Sequence, residues 1–187
     1  MQFKTTTLAG LTEVLPTIFE DERGIFLETY NQQAFEENGL LFDFVQDNHS
    51  WSRKGVLRGL HCQHPPYAQG KLVRCISGKV IDVAVDIRPD SATFGQHETF
   101  LLDSLQGNMV YVPEGFAHGF VALEDAIFAY KCTNFYHKSS ESGILWNDPD
   151  LAIDWNVAKP IVSEKDLKLP SFKELTRQLT AQPVWRQ

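Results

Sequence analysis

The sequence predicts an all-β fold, a sandwich, jelly roll or barrel, and three observations predict it. Short runs alternate with the period of a strand: KVIDVAVDIR puts Ile81, Val83, Val85 and Ile87 on one face and Val80, Asp82, Ala84 and Asp86 on the other. Similar runs recur at GIFLETY, GVLRGLHC, KLVRCIS, ETFLLD, NMVYVP, HGFVAL and IFAYKCT, separated by the turn signals SGK, DSAT, LQGN, PEG and LED. Finally, 13 Phe and 4 Trp among 187 residues supply bulky side chains for the interior of one well-buried core.

Taken in order, GIFLETY opens the strand pattern and leads into NQQAFEENG, a short helix with a cap at Asn31 and a stop at Gly39. Strand runs then follow one another to IFAYKCT. Near the C-terminus, SFKELTRQL begins with Ser171 and places Glu174 three residues on, the spacing of a capping box, with Phe172, Leu175 and Leu179 as a packing stripe. No repeat, low-complexity stretch or linker divides the chain. The expectation is a single domain over residues 1–187, with 171–187 a peripheral helix and tail.

Charge and cysteine content exclude several classes. The 24 acidic and 17 basic residues leave a net charge of −7 with no basic face, against binding nucleic acid through its phosphates. The N-terminal MQFKTTTLAGL lacks the apolar core of a signal peptide, and no stretch reaches membrane-spanning length. Cys62, Cys75 and Cys132 are odd in number without paired spacing, so no disulfide framework is implied; the expectation is a cytoplasmic protein with buried cysteines.

The chemistry concentrates in RGLHCQHPPYAQGKLVR, Arg58 to Arg74, which carries histidines, a cysteine, lysine and arginines in a strand–turn–strand passage. Further on, GNMVYVPEGFAH, Gly107 to His118, resembles the second motif of cupins, the small jelly-roll barrels, which makes the expected fold a cupin-like jelly-roll barrel, or double-stranded β-helix, with a few short helices. The first cupin motif is half present. Gly55 precedes His61 at the right spacing, but Gln63 replaces the second histidine, and Tyr67 and Ala68 stand where a glutamate is needed. A divalent transition metal needs at least three good donors, so no metal is expected.

Beyond these motifs the sequence resembles the dTDP-4-dehydrorhamnose 3,5-epimerase family, a metal-free branch of the cupin-like jelly rolls. The matching stretches, in family order, are DERGIFLETYN (21–31), VQDNHSWSRKGVLRGLHCQ (45–63), AQGKLVRCISGKVIDVAVDIR (68–88), TFGQ (93–96), VPEGFAHGFVAL (112–123), YKCTNFY (130–136), ESGILWNDPDLAIDW (141–155) and SEKD (163–166). The resemblance implies inversion of carbons 3 and 5 of dTDP-4-dehydro-6-deoxy-D-glucose. Both carbons flank the C4 ketone, so an enolate forms without a cofactor.

The resemblance also implies roles. His61 is the base, since imidazole titrates near neutral without special tuning, and Asp166 is its carboxylate partner. Lys71 is the cation facing the enolate, and Tyr130 the proton donor on the far face. Arg23, Glu28, Gln46, Asn48, Arg58, Lys71, His118, Glu141 and Lys165 are substrate-binding, with Arg23, Arg58 and Lys165 suited to the diphosphate or nucleoside. An aromatic near Phe135 and Tyr136 is expected to stack on the base. A homodimer is implied, with Arg23 and Glu28 able to complete the partner's pocket.

Plainer readings set the limits. His64, His97 and His137 are expected to be solvated, Arg74 and Lys131 solvent-facing or structural, and Trp51, Trp146 and Trp155 packing residues. Asp82 and Asp86 lie in a regular strand and are assigned no catalysis. Arg58 and His61 have opposite strand parity, so both reach one cavity only if the strand bends, for which Gly59 offers a bulge; otherwise Arg58 belongs to a different surface, such as a subunit interface. Three alternatives stay open: an epimerase acting at C3 only, a non-catalytic sugar-binding jelly roll, and a metal-dependent cupin.

Overall fold

The computed structural model describes residues 1–181, so the expected tail beyond the last helix lies outside the described residues. In chain order, β1 (Gln2–Thr5), β2 (Thr12–Leu15), β3 (Ile18–Asp21) and β4 (Gly24–Leu27) precede helix α1 (Gln32–Glu37). Then come β5 (Gln46–Ser52), β6 (Val56–Gln63), β7 (Lys71–Ser77), β8 (Lys79–Asp86) and β9 (His97–Asp103). They are followed by β10 (Met109–Val112), β11 (Phe116–Ala122), β12 (Ala126–Cys132), β13 (Glu141–Gly143), β14 (Ile161–Val162) and helix α2 (Phe172–Ala181).

Two antiparallel sheets form, in the orders β1-β2-β10-β7-β12-β5 and β13-β6-β11-β8-β9, and β14 runs parallel beside β6. Apart from the hairpin of β8 and β9, successive strands from β5 to β12 switch sheets, which winds the chain into a cupin-like jelly roll. Between the sheets lies a core of Val73, Cys75, Val80, Ala84, Leu102, Val110, Phe116, Phe120 and Phe128, among others. The outer face of the second sheet is also covered: Leu57, Leu60, Val83, Val85 and Val121 pack under Trp155 and under Leu175 and Leu179 of α2. The expected parity of β8 holds, with Val80 and Ala84 inward and Val83, Val85 and Ile87 outward.

Both helices start as their sequences dictate. The Asn31 side chain accepts a hydrogen bond from the Ala34 amide (3.2 Å), and Gly39 closes α1 with φ +79°. At α2, Ser171 Oγ accepts from the Glu174 amide (3.3 Å) while the Glu174 carboxylate accepts from the Ser171 amide (2.8 Å).

Strand β5 lies in QDNHSWS, where no apolar alternation marks it. Gln46, Asn48, Ser50 and Ser52 occupy the more buried positions, with Asp47, His49 and Trp51 exposed. Of these side chains, Ser50 faces a cavity.

The bend expected at Gly59 is present. The register between β6 and β11 shifts around it: His61 pairs with His118, but Arg58 pairs with Phe120. Leu57 and Leu60 consequently both join the outer core although three residues apart. Gly59 has φ +138°, and a Cβ there would stand 2.5 Å from the Gly119 Cα. Gly59→Ala is therefore expected to cost more than about 2 kcal/mol, since strain of about 1–3 kcal/mol adds to a backbone collision. Urea unfolding measures it; a variant as stable as the parent would mean that the two strands can part freely.

Candidate active site

Five strands deliver polar side chains to one cavity. His61 on β6, His118 on β11, Lys71 on β7, Tyr130 on β12 and Ser50 on β5 line a cavity of about 510 Å³, with Arg58, Lys165 and Asp166 also on its wall. Phe120 and Phe128, stacked with centroids 4.1 Å apart, form an apolar part of that wall.

Asp166 arrives from far along the chain because β14 pairs with β6 at Val56 and Leu57, and a short 3-10 turn, Asp166–Lys168, follows. Its Oδ1 lies 2.7 Å from His61 Nε2, and its Oδ2 accepts from the Gly59 amide at 3.3 Å. Burial works against the Asp166 charge, but these bonds and Ser163 outweigh it and hold the carboxyl below its ordinary range. A carboxylate only accepts, so the neutral form of His61 has its proton on Nε2 and its lone pair on Nδ1.

Lys71 makes no ion pair among the described residues, and burial lowers its pKa. Burial chiefly raises that of the Tyr130 phenol, which therefore stays protonated at neutral pH. The cysteines are buried as expected, with the Cys62 thiol pushed up to about 12, away from any nucleophilic role. Among the described residues, no group of three or more His, Cys, Asp or Glu side chains is placed to hold a metal ion.

At the rim, Glu141 accepts from Lys165 Nζ (2.7 Å) and from the Tyr136 hydroxyl (2.9 Å). Burial opposes the Glu141 charge, yet these two partners keep its pKa below the usual value. Arg58 is pinned by Ser52 Oγ (3.0 Å) and the Trp51 carbonyl (3.3 Å). Gln46 and Asn48 are joined by a hydrogen bond of 3.2 Å, and Asn48 pairs in register with Tyr130. Phe135 and Tyr136 are exposed.

Arg23 and Glu28 are not brought to this cavity within the chain. Arg23 lies at the β3–β4 turn with its side chain 86% exposed and paired to Asp21, and Glu28 accepts from Asn31 Nδ2 (3.2 Å). That hairpin exposes Ile18, Phe19, Ile25 and Phe26.

The solvated state expected for three histidines is corrected. His64, His97 and His137 are all half-buried, and His137 stacks on Tyr67 with centroids 3.6 Å apart while its Nδ1 meets Ser140 Oγ. Trp51 is exposed, whereas the Trp155 indole donates to the Trp146 carbonyl (2.7 Å). Lys131 pairs with Asp47 at 2.8 Å.

Two residues near the site carried no assignment from the sequence. Asp82 is wholly buried and bonded to His118 Nε2 at 2.7 Å. The signal was its place on the inward face with Val80 and Ala84, where a carboxylate needs a reason. Ser50 shares its strand parity with Gln46 and Asn48, and its Oγ is buried without a partner.

Known proteins resemble the chain in sequence and in fold. Residues 5–174 match the family model described as dTDP-4-dehydrorhamnose 3,5-epimerase. The Shigella flexneri dTDP-4-dehydrorhamnose 3,5-epimerase is 55% identical over 159 residues, 84% of this chain and 88% of that protein. The crystal structure of the Elizabethkingia anophelis dTDP-4-dehydrorhamnose 3,5-epimerase superposes with a TM-score of 0.89 at 51% identity, covering 93% of this chain and 97% of that one. The Legionella pneumophila dTDP-6-deoxy-D-glucose-3,5-epimerase, in complex with dTDP-4-keto-L-rhamnose, gives 0.91 at 44% identity, covering 95% and 96%.

Proposed function

The chain belongs to the dTDP-4-dehydrorhamnose 3,5-epimerase family, and from that premise we propose that it inverts C3 and C5 of dTDP-4-dehydro-6-deoxy-D-glucose, a step of dTDP-L-rhamnose biosynthesis. The observation that carries the reading is the convergence of an imidazole, an ammonium and a phenol on one cavity, from His61, Lys71 and Tyr130.

His61 Nδ1 removes the proton next to the C4 ketone, and Asp166 steadies the imidazolium that results. The enolate oxygen faces Lys71. A preorganised donor at that position contributes about 10²–10³ in rate. Tyr130 returns a proton on the opposite face, inverting the carbon. The same parts serve both carbons, because each flanks the same ketone.

Arg58 and Lys165 suit the diphosphate, Lys165 by exchanging its Glu141 partner for phosphate oxygens. Gln46, Asn48, His118 and Glu141 suit the sugar and nucleoside, and the exposed Phe135 or Tyr136 suits the base. Arg23 and Glu28 act across a homodimer in this reading, which the exposed apolar hairpin β3–β4 supports. The whole chain acts as one epimerase domain in the cytoplasm.

Solvent deuterium tests the reaction. The protein incubated in D₂O with the 4-keto sugar nucleotide is expected to introduce label at both C3 and C5. Label at C3 alone would make it a 3-epimerase. No label at either carbon would leave a binding protein.

A further inference from the structure

His118 and His61 are direct cross-strand partners on β11 and β6, and both line the cavity. Each turns Nε2 to a carboxylate at 2.7 Å, Asp82 in one case and Asp166 in the other. The site thus holds two imidazole–carboxylate pairs side by side, and the reaction as described uses one of them as its base.

Asp82 is the more enclosed carboxylate. It is 0% exposed, its Oδ1 meets His118, and its Oδ2 is buried without a partner. Its neighbours on the inward face of β8 are Val80 and Ala84, which belong to the apolar core. An unmatched carboxylate oxygen in such surroundings is costly. A residue there only to fill space would be better apolar.

We infer that Asp82 is a positioning residue that fixes His118 as its Nε2–H tautomer, so that His118 Nδ1 accepts a hydrogen bond from a hydroxyl of the bound sugar. The inference rests on the epimerase reading for the identity of that ligand. The physical reason is the one that governs any histidine with a backing group: the bond made by one ring nitrogen decides what the other can do. With Nε2–H donated to Asp82, Nδ1 has no partner among the described residues and presents a lone pair. His118 then complements a sugar hydroxyl beside the reacting carbons, while His61 next to it takes the proton.

Asp82 also reaches Lys71 electrostatically. The groups facing that ammonium are Cys132, Cys62, Asp82 and Glu141, and burial, the largest influence, lowers its pKa while these four oppose the fall. Lys71 must be protonated to face an enolate. Removing the Asp82 charge lets its pKa drop further, so the alkaline limb of the pH–rate profile moves to lower pH.

The first test needs no variant. Nitrogen-15 NMR of the free protein is expected to find His118 protonated on Nε2; the Nδ1–H tautomer would overturn the inference, whatever the protein turns over. The second is Asp82→Asn, which keeps the shape and releases the tautomer. A fall in kcat/KM of about 10–100-fold is expected, with the alkaline limb shifted toward lower pH. In an H118Q background, compared at pH values below the alkaline limb where Lys71 is protonated in both, the same substitution should change kcat/KM less than about twofold, because residues acting through one another are non-additive. Additive losses, or an unmoved alkaline limb, would reduce Asp82 to a structural role. A wild-type protein that labels neither carbon in D₂O would instead fail the epimerase reading and leave the tautomer result standing.

Discussion

Replacing His61 by alanine is expected to remove turnover while sparing nucleotide-sugar binding. The imidazole lines the cavity, and its Nε2 is held by Asp166 at 2.7 Å. Alanine removes the base that Asp166 positions, and positioned acid–base catalysis is worth about 10²–10⁴ in rate. Binding depends on other groups: Arg58 and Lys165 remain to meet the diphosphate, and neither is hydrogen-bonded to His61. Isothermal titration with dTDP should therefore change little. Deuterium wash-in at both C3 and C5 should fall together, because one base serves both carbons. Exchange persisting at one carbon would assign that carbon a second base, and His118 stands next to it as the obvious candidate.

The Asp166 side of the pair does not set the acid boundary of activity. Burial disfavours its charge, yet the hydrogen bonds from His61, Gly59 and Ser163 prevail and depress its pKa. A depressed carboxyl contributes stability above its unfolded value and loses that contribution as pH falls through the lower folded value. Asp166 therefore stays ionised through the ordinary carboxylate range, and loss of activity on mild acidification comes from groups other than Asp166.

Much of this was legible in the sequence for reasons that can be named. Strands such as β8 and β12 advertise themselves because apolar residues recur with period two, and the helix caps at Asn31 and Ser171 are local chemistry. Strand β5 stayed hidden for the opposite reason. Gln46, Asn48 and Ser50 take the more buried side of the strand and are polar, so neither face carries the apolar stripe that marks a strand. Asp166 shows a second limit: 105 residues separate it from His61, and its place beside the base depends on the pairing of β14 with β6. Only the family resemblance, not spacing, linked the two. Asp82 shows a third. Its inward parity was visible, but its partner His118 lies on another strand, and a cross-strand contact leaves no mark in either local pattern.

The gain at Tyr130 is the inversion itself, and Tyr130→Phe separates it from proton removal. Burial, the largest influence, raises the phenol's pKa, with Arg58 the one neighbour opposing the rise. The hydroxyl is thus a proton donor at neutral pH and not a base. The Phe variant keeps the ring beside Phe128, which packs at a centroid distance of 6.3 Å, and loses only the oxygen. His61 and Lys71 still generate the enolate. With no acid on the far face, the proton returns from the His61 side with the original configuration. Net epimerisation should fall by about 10²–10⁴, while deuterium still enters from solvent, visible by NMR as labelled sugar of unchanged stereochemistry. Should wash-in vanish together with inversion, Tyr130 would be needed for enolate formation and the donor on the opposite face would have to be sought elsewhere along the cavity wall. Wash-in without inversion ties the stereochemical outcome to one oxygen atom on β12, directly across the strand pair from Asn48.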